Sequence, residues 1–295
     1  MRYAAHDVLI EPARPSAQLW RLVLGAALIV ACFFAMGYSY FNILAEIVTE
    51  DHWPSLADEI DHGSTPRGMI AILGIFGLLT LSLLVVINVL HQRRLRSLFG
   101  PPAKAAQDFT RVMVALCALG TLLWLLPEPE AMTPTPGLPI LRWLSLLPVS
   151  LILVMLQISA EELAFRGYLQ SQLAARFNHP LVWITLPALI FGILHYDVET
   201  AGANAPVMAL SAFVFGLAAA DLTARSGTLG PALALHFAIN VSALLITASM
   251  GRNFGLALQI YPFTLDDTVA RATWLPYDFL MLLCAWLAAR LAITR

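Results

Sequence analysis

Eight apolar runs that read as membrane-spanning helices divide this chain from end to end. They are Leu19–Leu44, Gly68–Leu90, Phe109–Leu126, Pro148–Ala175, Leu181–His195, Ala205–Ala224, Pro231–Met250 and Ala272–Leu291. A helix needs about 20 apolar residues to traverse a hydrocarbon core of about 30 Å. Backbone groups find no water there, so only helices or closed barrels can span it. The expected fold is therefore all-α, a polytopic membrane helix bundle of about eight transmembrane helices. Composition agrees: 59% of the residues are hydrophobic and 12% are charged, where a soluble domain carries about 25% charged residues. No polar stretch is long enough to enclose a core of its own.

Loop punctuation falls between the runs. Gly100, Pro101 and Pro102 break one connection, and Pro127, Pro129, Pro134, Pro136 and Pro139 crowd another. Pro180 and Pro231 sit where the first turn of a helix tolerates proline. The longest polar connection, Asn42–Arg67, reads as a small cap. The first run is too long for a signal-peptide core and is followed by no A-x-A-like cleavage site, so it reads as a retained span. Cys32, Cys117 and Cys284 lie in separate apolar runs and read as small buried residues, not as a disulfide framework or a metal knuckle. Three units follow: 1–147 with the first three helices, 148–250 with helices four to seven, and 251–295 with a loop and the last helix.

Orientation comes from the positive charges. With the N-terminus inside, Arg2, Arg14, Arg21, Arg93, Arg94, Arg96, Lys104, Arg111, Arg166, Arg176, Arg225, Arg290 and Arg295 fall on the cytoplasmic side. Arg67, Arg142, Arg252 and Arg271 fall on the other, together with the acidic run Glu46, Glu50, Asp51, Asp58, Glu59 and Asp61. Thirteen positive charges against four favour both termini in the cytoplasm. One lysine against sixteen arginines in an alanine-rich chain points to a bacterial source, hence to the inner membrane. A net charge of −2 with no basic cluster gives no reason to expect a nucleic-acid partner.

Against this background, polar residues inside the spans stand out. An ionisable group at the centre of a membrane helix costs at least about 2.5–3.5 kcal/mol on insertion scales. The fourth run contains EELAFRG, in which Glu162 and Arg166 stand four apart in the favourable order for a helical ion pair. Glu161 lies about 100° further round and has no such partner in its own turn. Its charged form is disfavoured in a low dielectric, which suits a general base. The fifth run ends in FGILH, with Phe191 and His195 on one face, and the seventh contains HFAIN, with His236 and Asn240 on one face. Taken singly, each has a plain structural reading: interfacial charges, a helix-end histidine, an inter-helix hydrogen bond. Together they are the groups that can deprotonate a water and stabilise an oxyanion, as peptide hydrolysis without a covalent intermediate requires. Zinc held by Glu161, His195 and His236 is the alternative, although the spacing is not H-E-x-x-H and the ligands come from three helices. No cofactor is required by the metal-free version, and no G-x-S-x-G elbow suggests a serine nucleophile.

EExxxR, FxxxH and HxxxN, in this order on successive apolar helices, resemble the CPBP family of intramembrane proteases, also called the Abi or type II CAAX prenyl endopeptidase family. The linking stretch FVFGLAAADLTARSGTLGPALALHFAIN, with its Ser226-Gly227 turn, is similar to the family's third region. The resemblance covers roughly Pro148–Met250. It implies an endopeptidase within the membrane, acting on a membrane or membrane-associated peptide or protein substrate. By position it implies Glu161 as the activating glutamate, His195 as its partner on the water, and His236 and Asn240 as the oxyanion hole. Glu162 and Arg166 would support the site through their ion pair. Family members have been described both as metalloproteases and as glutamate peptidases, and include bacterial proteins tied to bacteriocin maturation or self-immunity.

Two other classes compete. Membrane carboxylates and histidines also form the relays of a proton-coupled or small-molecule transporter, though no inverted repeat is evident. A non-catalytic immunity or binding member of the same fold is the second. One geometric difficulty is visible in advance: straight spans would put Glu161 towards the cytoplasmic side and His195 towards the outer side. A fourth helix from Pro148 to Ala175 would be about 42 Å long. It would overshoot the bilayer core, so that the fifth helix starts low and carries His195 to mid-depth. Asp221 and Arg225 read as a structural ion pair, and Trp20, Trp53, Trp124, Trp143 and Trp274 as an interfacial aromatic belt.

Overall fold

The computed structural model describes residues 3–49, 51–125 and 133–294. Arg2, Glu50, Leu126, Pro127, Pro129 and Arg295, invoked above for span ends and orientation, lie outside the described residues. In chain order the helices are α1 (Leu19–Ile47), α2 (Trp53–His62), α3 (Pro66–Val89), α4 (Pro102–Trp124), α5 (Ile140–Arg176), α6 (Pro180–Leu194), α7 (Val198–Ser226), α8 (Gly230–Ile246) and α9 (Thr268–Ile293). α1, α3, α4, α5, α7 and α9 are long and apolar enough to cross a membrane, and α6 and α8 are shorter apolar helices. The chain is an all-α integral membrane bundle of the expected kind.

The bundle is apolar outside, and its apolar core encloses a set of polar groups. Val23, Phe34 and Tyr38 on α1 and Leu280 and Leu291 on α9 are exposed, while Gln157, Glu161, Glu162, Arg166, Gln170, Asp221 and His236 are buried. Lipid-facing surface has no reason to be polar, and charges survive only where protein partners replace water. α5 sits at the centre, packed against α3, α6 and α8; α6 runs along α7, and α8 is flanked by α4 and α7.

Several boundaries differ from expectation. The fourth helix begins at Ile140, with Pro148 inside it; a membrane helix tolerates an internal proline because its neighbours re-satisfy the freed backbone. At 37 residues and about 1.5 Å per residue, α5 is about 55 Å long. α4 begins at Pro102, where the missing N–H and fixed φ suit the first helical position, and not at Phe109. The seventh run leaves the helix after Ile246, and Thr247–Met250 is a strand, β2. β2 pairs in parallel with β3 (Gln259–Thr264), which also pairs antiparallel with β1 (Thr135–Pro136). Trp143 at the start of α5 donates from Nε1 to the Leu245 carbonyl at 2.8 Å, tying this small sheet to the bundle. The cysteines are free, but Cys117 is exposed and Cys32 and Cys284 are partly so, because their helices turn these faces outward.

The loops gather at two ends. At one end, α2 forms the expected cap: Arg67 and Thr65 hydrogen-bond the Glu59 carboxylate and hold its pKa down at about 2. Arg252 reaches across to Asp61 at 3.1 Å. At the other end, helical turns within residues 3–16 dock under the bundle, burying His6, Leu9, Ile10 and Ala13. Tyr3 donates to Asp221 at 2.8 Å, and Arg225 pairs with the same carboxylate at 2.9 Å, as expected of that structural pair. Gly227 turns the chain between α7 and α8 at φ +70°, and a Cβ there would fall 2.2 Å from the Ala5 carbonyl oxygen. The turn therefore needs glycine for its conformation and for the approach of the N-terminal segment.

Candidate active site

The site is built around the middle of α5. Its regular α-helical part ends at Glu162, and Leu163–Gln170 winds as a π-helix before the α-helix resumes at Ser171. Wide π turns inside α-helices occur frequently at functional sites. Here the π turns follow EE and carry FRG, and all of Leu163–Tyr168 is buried.

Glu162 and Arg166 form the expected ion pair, Nη1 to Oε1 at 2.8 Å, with side chains 0% and 1% exposed. The same Oε1 accepts from His236 Nδ1 at 2.8 Å. The Arg166 guanidinium is enclosed by the rings of Phe191, Phe215 and Phe165, at 4.8, 5.4 and 5.8 Å from their centroids. Cation–π contacts of this kind gain strength when desolvated.

The Glu162 bond fixes the histidine tautomer. An ionised carboxylate only accepts, so Nδ1 of His236 carries the proton and Nε2 of the neutral ring presents a lone pair. That Nε2 lies 3.6 Å from Glu161 Oε2. The distance is too long for a direct hydrogen bond, and Glu161 Oε2 is buried without a partner among the described residues.

The other oxygen of Glu161 is engaged. Gln157 Nε2 donates to Oε1 at 2.9 Å, and Gln157 Oε1 accepts from Asn240 Nδ2 at 2.8 Å. Glu161 thus has a partner one turn back, where none was expected. Gln157 carries no motif, being a lone amide in an apolar run; its i, i+4 relation to Glu161 is the signal that the sequence offers.

His195 caps α6 and donates from Nδ1 to the Phe191 carbonyl at 2.8 Å. Its ring lies 4.4 Å from that of Phe191, which in turn meets His236 edge-on at 6.2 Å. His195 therefore joins the cluster through Phe191 and not by hydrogen-bonding a carboxylate. Depth is nonetheless matched. Phe165 of α5 contacts Phe191 of α6 at 5.0 Å, and the two helices run antiparallel across the short turn 177–179. One turn back along α5 leads to Glu161, and one turn forward along α6 leads to His195. α6 has 15 residues, about 22 Å at the rise of an α-helix. That is shorter than a core of about 30 Å, so a short α6 as well as a long α5 brings His195 level with Glu161.

The donor set does not fit a zinc site. Among the described residues no three His, Cys, Asp or Glu groups gather where one ion could be held, and Glu161, His195 and His236 contribute only the facing pair Glu161 and His236. What the arrangement offers is a buried carboxylate oxygen facing an imidazole nitrogen at 3.6 Å, with the Gln157 amide holding the other carboxylate oxygen.

Residues 143–242, which hold Gln157, both glutamates, Arg166, both histidines and Asn240, match the family model of the type II CAAX prenyl endopeptidase Rce1-like proteins. This segment, about a third of the chain, is similar to the Rce1-like proteins. Its relation to curated proteins is thin: YyaK, an uncharacterized protein of Bacillus subtilis (strain 168), is 28% identical over 123 residues, 42% of this chain and 41% of that protein. The chain thus spans about two fifths of the length of the relative it matches. No solved structure matches. The matched segment takes in nearly all of α5, together with α6, α7 and most of α8, the helices that carry these side chains.

Proposed function

We propose that this chain is an intramembrane endopeptidase that hydrolyses a peptide bond of a membrane or membrane-associated substrate, in the inner membrane of a bacterium. The observation that carries the reading is the 3.6 Å gap between Glu161 Oε2 and His236 Nε2. A water seated against both atoms at ordinary hydrogen-bond length would give one proton to each and aim a lone pair outward, which is the posture of an activated nucleophile. Glu161 is the general base. His236 is held in the accepting tautomer by Glu162, whose negative charge is balanced by Arg166 on the same Oε1. Asn240 has a second Nδ2 proton to offer the oxyanion that forms when water attacks the carbonyl. The proton that Glu161 takes from the water returns to the leaving amine, and His195, whose Nδ1 donates to the Phe191 carbonyl, has a lone pair on Nε2 that can accept and relay it. This division moves His236 from the oxyanion hole, where family resemblance alone would put it, to the water, because the tautomer set by Glu162 denies a neutral His236 a proton on Nε2.

The test is cleavage of a fluorogenic peptide library by the full chain in detergent. Wild-type protein should cleave members of the library, and Glu161→Ala should abolish cleavage while keeping the wild-type unfolding midpoint. Cleavage undiminished in that variant would remove Glu161 from the mechanism and the reading with it.

A further inference from the structure

We infer that Gln157 is a positioning residue that fixes the base Glu161 and the oxyanion donor Asn240 relative to each other; this rests on the hydrolase reading above. The polarity of the chain Glu161–Gln157–Asn240 can be worked out from one end. A carboxylate accepts only, so the nitrogen of the Gln157 amide must face Glu161. Its oxygen then faces Asn240, and only the nitrogen of Asn240 can answer it. Turning the Asn240 amide over would bring two carbonyl oxygens together, so the ionised base dictates, through Gln157, that Asn240 presents N–H groups and not C=O to the site.

Two consequences follow for the chemistry. First, one oxygen of Glu161 is occupied, leaving Oε2, the oxygen that faces His236 Nε2, as the position for a water. Second, Asn240 spends one Nδ2 proton on Gln157 and keeps the other, now with a fixed direction, for developing charge. Gln157 is itself buried, at 9% exposure, and bridges α5 to α8. Donors that are aligned before the reaction need no reorganisation during it. Gln157 touches neither the proposed water nor the proposed oxyanion and acts through the two groups that do.

An inter-helix hydrogen bond with a merely structural role would also place an amide here, so the test must separate the two. The full chain, its Gln157→Met and Gln157→Asn variants, Asn240→Ala and the double variant Gln157→Met/Asn240→Ala are assayed on a peptide that wild type cleaves, with unfolding midpoints measured in parallel. Gln157→Met should lower kcat on the order of 10–100-fold with KM little changed, as expected when reacting groups are misaligned. Gln157→Asn keeps the amide one methylene short and should fall between, which tests the role even where the methionine variant does not fold. The double variant should be little worse than Asn240→Ala alone, because both changes disable one unit. Unchanged kcat, a change confined to KM, or losses that simply add would overturn the positioning role while leaving the hydrolase intact. A wild type that cleaves nothing overturns both, whereas wild-type cleavage lost in Glu161→Ala and kept in Gln157→Met overturns this inference alone.

Discussion

Arg166 shows what a single side chain carries in this bundle. It is 1% exposed, pairs with an equally buried Glu162, and is walled by three phenylalanines. Removing one partner of such a pair strands a charge where no water can reach it, which costs about 3–5 kcal/mol. Arg166→Met should therefore lower the thermal unfolding midpoint sharply in detergent. Arg166→Met/Glu162→Gln should recover part of the loss, since the stranded charge is gone; a double variant no more stable than the single one would show that Glu162 is neutral in the folded protein. Arg166→Lys should not substitute freely, because an ammonium lacks the planar fork and stacking face that fill the aromatic enclosure. This pair was legible in the sequence, since acid and base four apart on a membrane helix have one economical reading. Gln157 was not: the meaning of an amide depends on what lies across the helix interface, and Asn240 is 83 residues away in the chain.

At the scale of elements, the N-terminal segment is the piece that hydropathy could not reveal. Residues 3–16 are too short and too polar to span, yet they dock through buried Leu9, Ile10 and Ala13. His6 lies fully buried against Trp183, with ring centroids 4.8 Å apart, and neither ring nitrogen has a hydrogen-bond partner among the described residues. Burial pushes its pKa down to about 4 from 6.5. The sign follows directly. Above pH 6.5 both docked and undocked forms are neutral and docking is unaffected. As pH falls below 6.5 the undocked histidine takes up a proton that the docked one refuses, so docking weakens progressively until about pH 4. A shift of that size is worth about 3 kcal/mol between the limits. Protection factors for hydrogen exchange of residues 3–16, which remove the intrinsic pH dependence of exchange, should fall between pH 6.5 and 4 in wild type and stay level in His6→Phe; equal pH dependence in the two would place the titration elsewhere. The helix ends were misread for a similar reason. Pro148 and the start at Pro102 are local signals whose effect is decided by neighbouring helices, and the strand after Ile246 forms only because β3 and Trp143 receive it.

For the molecule as a whole, apolar runs of bilayer length left one class of fold, and the bundle follows it. Which loops share an end is now fixed by contacts. Asp61 meets Arg252, and Arg252 also meets Thr200, so the cap, the start of α7 and the loop after β2 lie together. Tyr3, Asp221, Arg225 and Arg290 meet at the opposite end. Alternation of the eight apolar helices of the described residues between the two ends of the bundle requires just this sorting. Which end faces the cytoplasm is a separate matter, governed by the distribution of arginine and lysine. Arg14, Arg21, Arg93, Arg94, Arg96 and Lys104 belong to the end that holds the N-terminal segment, and the acidic cap belongs to the other. The N-terminal end should therefore be cytoplasmic. Asp58 and Arg94 are both exposed and mark the two ends. With Cys32, Cys117 and Cys284 replaced by alanine, Asp58→Cys should react with a membrane-impermeant maleimide on intact spheroplasts. Arg94→Cys should react only after permeabilisation. The reverse pattern would invert the protein, and it would put the Asp221 end, with the docked N-terminal segment, outside the cell.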